Sequence, residues 1–133
     1  MHLWDVVTGR ELAELDTHEI AHSATFSPDG SRVATASLAG QILIWDVASR
    51  REVARLKSRG GLHQVRFSPK GDLLVAGSAN GTARVVGRGD WCRSGHDHRT
   101  SAKLPQVVFS RDGDLVLAAT SDNAAHLLKT GRD

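Results

Sequence analysis

Short apolar runs of five or six residues, separated by tight turn signals, set the pattern of this chain. VATAS at 33–37, LLVAGS at 73–78 and LVLAAT at 115–120 form one series. QILIWD at 41–46, TARVV at 82–86 and AHLLK at 125–129 form a second. Runs of this length bounded by Gly, Pro, Asn and Asp predict β-strands. Residues 2–7, HLWDVV, and the stretch 22–27 read as strands too. Glu11 to Leu15 alternates charged and apolar positions, as a strand with one wet face does. Thr8-Gly9, Ser27-Pro28-Asp29-Gly30, Ser68-Pro69-Lys70-Gly71 and Ser110-Arg111-Asp112-Gly113 are turns. In the first SPxG pair, proline presets φ at the second position and glycine relieves the last. Asn80-Gly81 predicts a type I′ hairpin turn, with positive φ at both central residues. No stretch of useful length has helical periodicity.

The pattern repeats. Phe26 opens FSPDGSRVATASLAGQILIWD, Phe67 opens FSPKGDLLVAGSANGTARVVG and Phe109 opens FSRDGDLVLAATSDNAAHLLK, at spacings of 41 and 42 residues. WDVVTGRELAEL from Trp4 matches WDVASRREVARL from Trp45, again 41 apart. A fixed period near 40 residues signals a repeat architecture. Each period holds four short strands. Their residues are apolar or small on both faces: Val33, Thr35 and Ser37 on one, Ala34 and Ala36 on the other. Such a sheet cannot stand alone in water and must be sandwiched between its neighbours. The repeat divides the chain at 1–22, the end of one unit, then 23–58, a full unit. Residues 59–103 form a second unit and 104–133 a partial third. Gly87 to Lys103, GRGDWCRSGHDHRTSAK, breaks the alternation and reads as an irregular outer strand plus a long loop.

Composition narrows the function classes. Formal charge is +2, and acidic and basic residues are interspersed, so no basic block marks a nucleic-acid partner. Arg84, Arg88, Arg93 and Arg99, with Trp91 as the one interleaved aromatic, read as solubilising charge. No apolar run approaches the roughly 20 residues that span a bilayer. The single Cys92 excludes an internal disulfide. With Met1 as the start and no basic-then-apolar leader, the expected location is cytoplasmic.

The WD pairs Trp4-Asp5 and Trp45-Asp46, the FSPDG turn at 26–30 and the GSxNG element at 77–81 resemble the WD40-repeat family of β-propellers, over essentially the whole chain. The resemblance implies an all-β fold of about three four-stranded antiparallel blades that do not close a ring. It also implies a hydrogen-bonded His, Ser or Thr, Asp and Trp tetrad in each blade. Carried over, His18, Ser37 (or Thr35) and Trp45 match in the first full copy, but Ala39 holds the Asp position. The second copy offers Ser78 and Asn80, with Arg59 and Val86 in place of His and Trp. The third offers Thr120 and Asp122, with Ser101 and Leu128 in those places. No copy is complete. The chain is therefore expected to belong to a longer propeller or to pair with a second copy, the N-terminal strands of one completing the last sheet of the other in a six-bladed ring.

Catalytic chemistry finds little support. Ser27, Ser68 and Ser110 sit in turns, outside any strand–turn–helix nucleophile setting. No phosphate-cradling GxxxxGK[ST] motif exists, and no cofactor is expected. Asp29 and Asp112 read as turn caps. Gly95-His96-Asp97-His98, with Cys92 nearby, offers metal-competent donors. Spacing of one residue seldom directs two imidazoles at one ion, so the reading is a solvated loop and no metal. His22 and His63, each four residues before a repeat phenylalanine, read as equivalents set by the repeat rather than ligands. The expected function is a non-catalytic platform for a protein or peptide partner, or a regulatory segment of a larger protein. Its recognition loops would be 16–21, 38–40, 57–61 and 79–81, with Glu19, Arg59 and Asn80 as contacts.

Overall fold

The computed structural model describes residues 1–15, 17, 19–58, 60–78, 80–87, 96–99, 106–119 and 124–129. These residues form strands and turns, with no helix among them. The strands are β1 (His2–Trp4), β2 (Glu11–Glu14), β3 (Ala21–Phe26), β4 (Arg32–Ser37), β5 (Gln41–Asp46), β6 (Arg51–Lys57) and β7 (Leu62–Phe67). After them come β8 (Leu73–Ser78), β9 (Thr82–Gly87), β10 (His96–Arg99), β11 (Gln106–Phe109), β12 (Leu115–Ala119) and β13 (Ala125–Lys129). They build four antiparallel sheets in chain order: β1-β2, β3-β4-β5-β6, β7-β8-β9-β10 and β11-β12-β13. The inner strands approach one another most closely between sheets, β3 against β7 and β11 against β7 and β8. The sheets thus converge at their inner strands, as the small residues at 34–37 and 76–78 allow.

Packing follows the period-2 alternation of strand side chains. On one face of the first four-stranded sheet, Val33, Leu43 and Trp45 pack on Leu3 and Leu15 of the N-terminal pair. On the other, Ala34, Ala36, Ile42, Ile44, Ala54 and Leu56 pack on Leu62, Val65, Phe67, Leu74, Ala76 and Val86 of the next sheet. That sheet then turns Val75, Ala83 and Val85 toward Val107, Val116 and Ala118 of the last. Ile44 and its strand neighbour Leu43 are both buried, on opposite faces. Dry sheets held by their flanks are what the two-sided apolar pattern requires. Trp45, at 8% exposed, belongs to this packing.

Two equivalent residues differ for a reason the stack supplies. Phe67 is 9% exposed, because it lies against the preceding full sheet. Phe109 is partly buried in the same way. Phe26 is 58% exposed, because the sheet before it consists only of β1 and β2. At the other end, Val108, Leu117 and Leu127 stand opposite one another across three strands and are 49%, 41% and 69% exposed. The described sheets form an open row.

Two details depart from the sequence reading. The first strand stops at Trp4 instead of residue 7, because the Asp5 carboxylate accepts the N–H groups of Val7 and Thr8 and bends the chain there. The 78–81 turn is not type I′: Gly81 N–H donates to Ser78 O and Gly81 has φ +88, but Asn80 has no positive φ. Glycine thus sits at the fourth turn position, where the other strand turns also place it. The repeat spacing aligns β1 with part of β5 and β13 with β9. By that alignment β1 and β2 correspond to the third and fourth strands of a full unit, and β11, β12 and β13 to its first three.

Candidate functional site

Antiparallel strands put their connections alternately at two rims. One rim carries the three FSxxG turns. Ser27, Ser68 and Ser110 do the same work there. Each hydroxyl accepts the N–H of the residue five later (Arg32, Leu73 and Leu115, all at 3.0 Å). Each donates to a carboxylate: Asp29 at 2.7 Å, Asp72 at 2.9 Å and Asp112 at 2.6 Å. The Ser31 N–H, followed by the Ser27 and Ser31 hydroxyls, holds the Asp29 carboxyl down to a pKa of about 2. Asp112 is lowered in the same way, chiefly by the Ser110 hydroxyl. These acids are anchored anions, which fits turn capping and not proton transfer. The WD aspartates act alike: Asp46 accepts the Ser49 N–H at 3.0 Å and hydroxyl at 2.7 Å. The residue four beyond each then takes a left-handed backbone, Gly9 at φ +72 and Arg50 at φ +60.

The opposite rim carries the loops expected to recognise a partner. Loops 38–40 and 58–61 interlock. Ser58 N–H donates to Gly40 O at 2.7 Å, and a Cβ on Gly40 would sit 2.7 Å from Ser58 O. Gly61 approaches Leu38 O as closely, and Gly60 lies against the Asn80 side-chain amide. Only glycine allows these backbones to meet. Glu19 reaches inward: its carboxylate accepts the Ser37 hydroxyl at 2.8 Å, and Ser37 Oγ accepts the Gln41 N–H. Asn80 is exposed; its side-chain oxygen accepts the Ser78 hydroxyl and the Thr82 N–H. A depression beside this rim is lined by Met1, Thr17, Glu19, Ile20, His22 and Ala24.

Of the tetrad residues, Ser37 is bonded to Glu19, and Trp45 Nε1 is buried without a hydrogen-bond partner among the described residues. Ser78 and Asn80 are bonded to each other. His18, Arg59, Ser101, Thr120 and Asp122 lie outside the described residues, as do Arg88, Trp91, Cys92, Arg93 and Gly95. The backbone of His96–Arg99 pairs with β9, but the side chains of His96, Asp97, His98, Arg99 and Leu128 also lie outside the description. Arg84 donates to the backbone carbonyl of Lys57 on the preceding sheet at 2.7 Å. Among the described residues no group of three or more His, Cys, Asp or Glu could hold a metal ion.

Among the described residues, two further ties between sheets were not evident from the sequence. Ser23 Oγ accepts the Val65 N–H, and Gln64 Oε1 accepts the Val107 N–H at 2.7 Å. Ser23 and Gln64 are 41 residues apart, and Val65 and Val107 are 42 apart. The repeat period was the one signal that could have found them.

None of the curated proteins matches the chain. The model of the family described as "WD domain, G-beta repeat" matches residues 9–46 and 51–86, together more than half of the chain. With stacked antiparallel sheets, the WD pairs at the β1 and β5 ends and a period near 41 residues, the chain belongs to the WD40 family of WD-domain G-beta repeats.

Proposed function

We propose that this chain is a non-catalytic platform that binds a protein or peptide through the rim of loops 16–21, 38–40, 57–61 and 79–81. WD40 repeats generally serve protein–protein interaction. The observation that carries the reading is the interlock of Gly40, Ser58, Gly60 and Asn80, which makes loops from two sheets into one continuous surface. A surface held in place in advance loses little conformational entropy when a partner docks. Glu19, Arg59 and Asn80 are the contact residues on this reading. The anchored, hydrogen-bonded carboxylates of the other rim serve the turns.

A displayed random-peptide library selected on the folded chain tests this. Selected peptides should share a consensus and lose at least tenfold in affinity when Arg59→Ala and Asn80→Ala are combined. They should keep their affinity when Lys70→Ala is made on the opposite rim. Peptides without a consensus, or equal losses from both rims, would overturn the proposal.

One observation favours a second reading, in which the platform is the regulatory part of a larger protein. The Val108–Leu117–Leu127 face is the kind of apolar patch that another sheet ordinarily covers. That sheet would come from a longer polypeptide or from a second copy. Light scattering separates the two: a dimer of this chain favours the second copy.

A further inference from the structure

His22 and His63 lie on adjacent inner strands of neighbouring sheets. Both pairings, β3 with β4 and β7 with β8, slip register at these residues: between Ala21 and Ser23, and between Leu62 and Gln64. Each histidine is therefore the extra residue of a β-bulge, the irregularity that re-aims a side chain out of the normal alternation. The result is a ring contact with centroids 5.5 Å apart and planes at 70°. His22 is exposed and His63 half-buried, so solvent reaches the pair. No described residue hydrogen-bonds either ring.

That spacing has a chemical meaning. Two imidazoles bound to one tetrahedral ion, with metal–nitrogen distances near ~2.1 Å, place their ring centroids roughly 5 Å apart. The geometry points to His22 and His63 as a two-imidazole chelate for a divalent transition ion of the zinc, nickel or copper class. Imidazole suits these ions, whereas magnesium and calcium require oxygen donors. The repeat that makes the two positions equivalent is also what brings them together. Two coordination positions remain for water or for a carboxylate of a docked partner.

The test is titration of the full chain with zinc chloride alone, followed by calorimetry and by imidazole 15N shifts. The expected result is one site, with ring shifts at both His22 and His63. His22→Gln and His63→Gln should each weaken it at least tenfold, and the double variant no further, since either change destroys the chelate. His96→Gln combined with His98→Gln should leave the site intact. Circular dichroism establishes that each variant is folded, and the ring shifts of the unaltered chain decide the matter if one is not. The proposal is overturned if the unaltered chain takes up no zinc, if affinity follows the 96–98 pair, or if either single glutamine variant binds as tightly as the parent. In those cases the two rings are an edge-to-face packing contact and nothing more.

Discussion

Leu43→Ala and Ile44→Ala, made separately, measure whether the sheets are dry on both sides. The two residues are sequence neighbours on β5 and point in opposite directions, Leu43 toward Leu3 and Trp45, Ile44 toward the second four-stranded sheet. They are 2% and 0% exposed. Each substitution removes three buried carbons, roughly 2.4 kcal/mol of transfer free energy at ~0.8 per methylene. The space left behind adds about 1 kcal/mol more if it collapses only in part. Each variant should therefore lose about 3–4 kcal/mol, a large share of a typical domain's total of about 5–15. Leu127→Ala, on the bare terminal face, should change stability by no more than about 0.5 kcal/mol. Urea unfolding followed by tryptophan fluorescence reads all three. An ordinary sheet with one wet face would make one of the β5 pair nearly free. A loss below 1 kcal/mol at either position would refute two-sided burial, and a loss above 2 at Leu127 would show that its face is covered.

Three further outcomes are expected. Arg50→Gly should stabilise by about 0.5–1 kcal/mol in thermal melts, since Arg50 occupies the left-handed backbone that Gly9 occupies one repeat earlier, at a strain of ~1 kcal/mol or more. A loss greater than 0.5 kcal/mol would show that the position is unstrained. Gln64→Ala and Ser23→Ala should each cost about 1 kcal/mol, because each removes the acceptor of an N–H on the next inner strand; Arg66→Ala, on the same strand as Gln64, serves as a comparison for both. Asp29 has a folded-state pKa of about 2, below its unfolded value near 3.9, so the stability it contributes is fully present above that value. It is lost as pH falls from about 4 toward 2. Acid titration of the unfolding free energy should show a shallower decline in Asp29→Asn than in the parent, and parallel curves would count against the assignment.

Much of the candidate rim was legible in part only. The sequence placed loops 38–40 and 57–61 at connections between strands, but not in contact. Their meeting depends on Gly40 and Gly61, where a Cβ would sit 2.7 Å from Ser58 O and 2.5 Å from Leu38 O, a closeness that no local pattern encodes. Glu19 reads as a partner contact from the sequence, yet its carboxylate also serves the Ser37 hydroxyl, 18 residues away. His22 and His63 looked like mere repeat equivalents because a bulge cannot be read from composition. Asn80-Gly81 resembled a two-residue hairpin because that dipeptide fits type I′ and also a longer turn ending in glycine.

What the chain alone determined was its unit: a strand length, a turn chemistry and a period near 41 residues, all local matters of alternation and backbone preference. Two-sided apolarity further required that units stack, since such faces cannot meet water. Tertiary structure decided which residues meet across the stack: Phe67 buried and Phe26 exposed, Ser23 bonded to Val65, and two histidine rings brought into contact. Those outcomes depend on how neighbouring sheets converge and on where the row of sheets ends. Both are properties of several repeats together, which the sequence of one repeat does not contain.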